Sequence, residues 1–228
     1  MANIREIQSR INSVKDTMKI TNAMYMISSS KMTHARKKLA DTEPYFYALQ
    51  GEISRILRHV PDLEHPFFDM REKIPENERK IGTIVVTADK GLAGAYNHNV
   101  IKLAEEILER PGHHKLYIVG ELGRHYFAKH GVEIETNFQY TVQNPTMHRA
   151  RDISGVLIDE FRHGGLDEIH IVYTRMENSV QADAETIRLL PLERSSFNEM
   201  KMPLNVHREA IALYPSVEAV IKAIVPNY

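Results

Sequence analysis

The chain has 228 residues, no cysteine, and 29 Lys plus Arg against 30 Asp plus Glu, for a formal charge of −1. That near-balance gives no global basic excess to draw nucleic acid, and the missing cysteines exclude disulfides, thiol catalysis and cysteine-ligated metal. No apolar run reaches the roughly 18 residues that cross a bilayer, and the N-terminus lacks the apolar core of a signal peptide, so a soluble intracellular chain is expected.

The first 60 residues carry a heptad seam. Alternating steps of three and four from Ile4 to Val60 visit seventeen positions, and fourteen are apolar; only Thr21, Ser28 and Thr42 are not. A random chain at 43% hydrophobic content would fill about half as many. Such a seam predicts a long helix that packs along another helix, with a reach of roughly 85 Å at ~1.5 Å per residue. Pro44 should kink or break it at about residue 43, because an interior proline loses a hydrogen bond and clashes with the preceding turn. Pro61 should end the continuation. In the middle of the seam Thr21, Ala23, Ser28, Ser29 and Ser30 are small or hydroxylic, with Met24, Met26 and Met32 among them. Small residues admit a close partner, and unbranched Met tolerates a contact that re-forms in several geometries. A single tight helix crossing explains the same pattern. The first 38 residues are locally basic, which a solvated helix face or an acidic partner would both explain.

Residues 61–80 are rich in proline and charge and read as a linker, with Phe67 and Phe68 as a tether onto the next domain. A strand-and-helix grammar then begins. IGTIVVTA (81–88) has the composition of a buried strand and leads into the glycine-containing turn DKGLAGAYN. NVIKLAEEILER repeats apolar residues at helical spacing, KLYIVG (115–120) is a second strand, and GELGRHYFAKHG is a short helix. VEIETNFQY reads as a third strand. After a turn at Asn144 and Pro145, TMHRARDISGVLIDEFRHGG is an amphipathic helix. LDEIHIVYTRM (166–176) and ETIRLLPL (185–192) are strands again. Residues 193–207 are a polar connector, and YPS opens a last apolar helix. The fold class expected is α/β: a long coiled-coil-type helix (1–60), a linker (61–80), a Rossmann-like domain with a mostly parallel sheet (81–192), and a connector with the start of a C-terminal helical region (193–228).

No catalytic constellation emerges. Gly91 and Gly94 do not make G-x-G-x-x-G, and no G-K-[ST] follows, so the turn favours a tight bend needing φ > 0 over a phosphate cradle. The twelve histidines show no metal-ligand spacing. There is no G-x-S-x-G. Asp167 and Glu168 before a strand read as a solvated loop in preference to an acid pair. Neither a catalytic residue, a cofactor nor a metal is expected.

IREIQSRINSVKDTMKITNAMYMISSSKM resembles the opening of the gamma subunit family of the rotary F-type ATP synthase. IVVTADKGLAGAYNHNV resembles that family's first strand and its S-D-[KR]-G-L turn. ETIRLLPL and LYPSVEAVIKAIVPNY match later landmarks, so the resemblance covers the chain in order. Asn22 stands where the family usually has a basic residue, and Tyr25 where an acidic one is common. Family members continue beyond the PNY segment into a second long helix that coils against the first. The seam is therefore expected to lack its intramolecular partner, as in a truncated chain.

The resemblance implies a central rotor shaft with no catalytic site of its own. It would couple proton-driven rotation of the membrane c-ring to ATP synthesis or hydrolysis in a hexamer of alpha and beta subunits, with epsilon beside its foot. By position, Lys19, Ile20, Met24, Met26 and Lys31 match the segment gripped by the catalytic subunits. Asp89, Lys90, Gly91, Tyr214 and Glu218 would belong to the foot. The implied location is peripheral, at the cytoplasmic face of a bacterial membrane. Two other readings stand beside it: a small-ligand-binding α/β domain with a dimerising helix, and an enzyme.

Overall fold

Helix α1 runs through Ile4–His59 in the computed structural model, which describes residues 4–143, 145–178, 181–198 and 212–228. Pro44 lies inside it, and the expected break at about residue 43 does not occur. The proline removes a single backbone donor, whereas burial of Ile53, Ile56 and Leu57 beyond it holds the later turns helical. The chain separates into two compact units, residues 1–50 and 51–228.

In the first unit the seam residues from Ile4 to Phe46 are exposed among the described residues. Ile4, Ile7, Ile11, Val14, Met18, Tyr25, Met32, Leu39 and Phe46 are all exposed. The polar interruptions are satisfied on the helix itself. Thr21 Oγ1 donates to Thr17 O at 2.9 Å, and Thr42 Oγ1 donates to Lys38 O at 2.8 Å. A threonine folded back in this way keeps its methyl available to a neighbour, so the seam remains apolar to the touch.

The second unit is an α/β sandwich. Strands β1 (Lys80–Val86), β2 (His113–Val119), β3 (Glu168–Met176) and β4 (Ala182–Leu190) form one sheet in the order β2-β1-β3-β4. β1 pairs parallel with both β2 and β3, and β4 pairs antiparallel with β3, so the sheet is mostly parallel as expected. Helices α2 (Tyr96–Leu108), α3 (Glu121–Lys129) and α4 (Met147–Arg162) connect the strands, and α5 (Ser195–Asn198) and α6 (Val217–Ile224) come after the sheet. The strands are apolar on both faces because both are covered. Val85, Leu116, Ile118 and Val172 join Val100, Ala104 and Ile107 of α2 and Phe127 of α3 in one cluster. Their alternates Ile84, Tyr117, Val119 and Ile169 join Ile53, Ile56 and Leu57 of α1, Leu157 and Phe161 of α4, and Ile221 of α6 in the other. The heptad seam of α1 thus ends inside this second core.

VEIETNFQY does not form a strand. Only Ile134 and Tyr140 bridge to β2, at Leu116 and Val119. Between them the chain turns at 135–138, where Phe138 N donates to Glu135 O at 3.3 Å and Asn137 N to Glu135 Oε1 at 3.1 Å, and Phe138 packs on Tyr117 with ring centroids 5.3 Å apart. The last strand begins three residues earlier than expected, at Ala182. Within the 193–207 connector, Ser195–Asn198 is helical; residues 199–207, like Asn144 of the expected turn, lie outside the described residues.

The 61–80 segment is fastened to the sheet layer. Phe67 and Phe68 are buried, and short 3-10 turns form at Pro66–Phe68 and Glu76–Glu78. Asp167 and Glu168 are not a solvated loop. Asp167 is 5% exposed, pairs with Arg71 and accepts from Lys80 N; Glu168 pairs with Arg79 at 2.6 Å and with His170 at 2.9 Å. Their arginine partners come from the linker, far away in sequence, and only His170 lies close by.

Candidate functional site

Residues singled out in the sequence fall on two surfaces, one in each unit. On α1, Lys19 and Lys31 lie in an exposed stretch, Ile20 is 62% exposed, Met24 46% and Met26 70%. Lys19 Nζ bonds Asp16 at 3.1 Å, one turn back, which leaves it a solvated side chain. Met26 borders an open hollow with Tyr25, Ser29, Ser30, Thr33 and His34. These side chains are spread around α1, and exposed unbranched methionines of this kind suit contact with another protein surface.

The second surface begins at the turn after β1. Its inner half is consumed by the fold. Ala88 N donates to Asn97 Oδ1 at 2.8 Å, and Tyr96 Oη donates to Val86 O at 3.2 Å. Asp89 Oδ1 accepts from Glu121 N at 3.3 Å and from Val142 N at 3.4 Å, tying β1, α3 and the 138–142 segment together. Asp89 is therefore a fastening residue. The outer half, with Lys90, Gly91 and Leu92, is exposed. The left-handed conformation expected of this turn falls on Gly94, at φ 57°, and on Leu92, at φ 65°; Gly91 does not adopt it. Leu92 is 91% exposed, so a strained apolar side chain projects from a loop braced at both ends.

A phosphate would find no cradle at this point in the sheet. Gly120 sits at φ 103°, and a Cβ there would lie 2.2 Å from Thr87 O, so the crevice beside β1 and β2 is closed by backbone. Thr87 Oγ1 is already engaged by Gly123 N at 2.9 Å.

Tyr214 and Glu218 flank the start of α6, away in sequence from the β1 turn. Tyr214 is 91% exposed and precedes a cis peptide bond to Pro215. Ser216 caps α6 by accepting from Ala219 N at 3.2 Å. The Glu218 carboxyl is held below its ordinary value by its own amide, by the Ser216 hydroxyl and, less strongly, by His65. Burial pushes His65 in turn below the usual imidazole value, against the opposing pull of Glu218. The side chains that sequence reasoning missed are the linker-fastening ones: Arg71, Arg79, Arg194 and Ser54. Each bonds a backbone or carboxylate that no local motif marks.

Comparison with known proteins accords with this anatomy. Residues 3–228 match the family described as ATP synthase. The ATP synthase gamma chain of Ruminiclostridium cellulolyticum is 39% identical over 228 residues, covering 99% of this chain and 77% of the relative. That of Caldanaerobacter subterraneus subsp. tengcongensis is 39% identical over 231 residues, covering 98% and 78%. In fold, the chain is similar to a cryo-EM structure described as the central stalk and c-ring of Tetrahymena thermophila mitochondrial ATP synthase. That likeness has a TM-score of 0.61 at 18% identity and covers 91% of this chain and 86% of the other. With a family match over residues 3–228 and relatives 39% identical across 98–99% of its length, the chain belongs to the ATP synthase gamma-chain family.

Proposed function

We propose that this chain is the central rotor-shaft subunit of an F-type ATP synthase, peripheral at the cytoplasmic face of a bacterial membrane. It passes proton-driven rotation of the c-ring to the alpha and beta hexamer and holds no catalytic site. The supporting observation is the exposure of large apolar side chains in the middle of α1, Ile20, Met24 and Met26, spread around the helix among Lys19 and Lys31. A shaft acts through differential contact: it changes nucleotide affinity at a partner's site only if it touches that partner's conformations unequally. Residues 1–60 are the shaft half in this reading, 61–80 the link, 81–192 the foot and 193–228 a connector with the start of a C-terminal helical region. Asp89, Lys90, Gly91, Tyr214 and Glu218 belong to the foot in this reading. No nucleic acid takes part.

The test is co-elution with alpha and beta subunits from the same source, with ATP turnover as the readout. A stoichiometric complex with raised turnover is expected. A chain that neither co-elutes nor changes turnover overturns the proposal.

A further inference from the structure

The passage from α1 to the sheet is held by arginines that grip backbone carbonyls. Ser54, 4% exposed near the end of α1, donates through Oγ to Phe197 O at 2.8 Å. Arg194, from the same 193–198 segment, donates to Pro61 O and Leu63 O, and its guanidinium lies 5.5 Å from the Phe68 ring centroid. Leu192 N donates to Phe67 O at 2.6 Å. Arg71 then donates to Leu166 O and to Phe161 O, both at 2.9 Å, and pairs with Asp167. Its guanidinium stacks 4.3 Å from the Phe161 ring centroid, and its own backbone is held at φ 49°. Finally Arg79 joins Ile74 O at 3.2 Å and Glu168 at 2.6 Å.

A segment that merely connected two elements would not require five polar fastenings in about 25 residues, nor a left-handed arginine at one of them. Apolar burial of Phe67 and Phe68 resists separation from the core but is non-directional and permits sliding. A planar guanidinium bonded to carbonyls on two sides resists sliding and rotation as well.

We infer that Arg71 and Arg194 are torque-bearing positioning residues, locking the 61–74 strap to the α4–β3 connection and to the 191–197 segment so that twist passes from α1 to the sheet without slip. This rests on the rotor reading proposed for the chain. The locked strap belongs wholly to the 51–228 unit, so twist enters it through the backbone of α1.

The test uses the complete synthase in inverted vesicles carrying wild-type chain, Arg71→Met, Arg194→Met or the double variant. It measures ATP hydrolysis without load and ion pumping against a rising opposing potential. The variants are expected to hydrolyse ATP within about twofold of wild type while pumping against load falls at least roughly threefold, the double variant failing at the lowest potential. Amide exchange on the isolated chain should quicken between residues 61 and 74 and stay unchanged in β1 and β2. If Arg71→Met quickens exchange throughout the unit, Arg71→Lys, which keeps the charge and loses the fork, takes its place.

Parallel loss of hydrolysis and pumping, or unchanged pumping under load, overturns the inference. Failure of the wild-type chain to couple in this assay would instead overturn the rotor reading itself, so the two failures are distinguishable.

Discussion

Glu168 shows how a single residue reports the linker's attachment. The hydrogen bond from His170, and then that from Arg79, hold its carboxyl well below the ordinary range, at about 2. A depressed carboxylate contributes stability that is fully present above the unfolded value near 4.5 and is lost as pH falls toward about 2. Thermal denaturation between pH 6 and 2 should therefore show a declining midpoint across that window. Glu168→Gln should flatten this limb and cost about 2 kcal/mol at neutral pH. Gly120 supplies a second prediction at this scale. With φ 103° and Thr87 O where a Cβ would go, Gly120→Ala should destabilise the 51–228 unit by more than about 3 kcal/mol in urea titration. Asp167 and Glu168 looked like loop acids until Arg71 and Arg79 were placed beside them, and nothing in the sequence around Gly120 marks the close approach of Thr87 O.

The same helix behaves differently along its length. Up to Phe46 the α1 seam is exposed, and from Ile53 it is core. Truncation should follow that division in the isolated chain. Ile53→Ala and Ile56→Ala, each at 1% exposure or less, should cost about 2–5 kcal/mol, while Ile11→Ala, at 48% exposure, should stay within about 0.5 kcal/mol. Chemical denaturation of the three variants checks this, and equal costs would contradict the division. Heptad spacing alone shows the seam as one continuous stripe, because periodicity records which face is apolar and not what covers it. Pro44 illustrates the converse. Its intrinsic preference argues for a break, yet the turns beyond it are pinned by burial, and tertiary packing overrides one residue's propensity. VEIETNFQY failed as a strand because Glu135 closes a local turn on Asn137 N and Phe138 N, which takes the backbone out of the ladder.

At the scale of the whole molecule, the middle of α1 is where the proposed function can be damaged without damaging the fold. Ile20→Asp and Met24→Asp leave exposed positions exposed, so the isolated chain should keep its stability. Activation of ATP turnover in the assembly with alpha and beta should fall by roughly tenfold or more, since truncation or charge at a central contact dominates binding loss. Unchanged activation would move the contact elsewhere on α1. The amino-acid sequence by itself determined the alternation of β-branched runs with amphipathic helices, and hence a mostly parallel sheet covered on both faces. It also determined the apolar seam and, through IREIQSRINSVKDTMKITNAMYMISSSKM and IVVTADKGLAGAYNHNV, the family. These are local or periodic properties, written into consecutive residues. Only the tertiary structure decided that the β1 turn spends Asp89 and Asn97 on its own bracing, that the linker is strapped down by Arg71 and Arg194, and that the seam ends in a core. The Asp89 bracing joins groups 32 and 53 residues apart, and the strap and the buried end of the seam join groups about 90 to more than 140 residues apart, such as Arg71 with Phe161 and Ser54 with Phe197. A hydrogen bond or ion pair across such a separation leaves no spacing to read, because chain folding, and not sequence period, brings its two ends together.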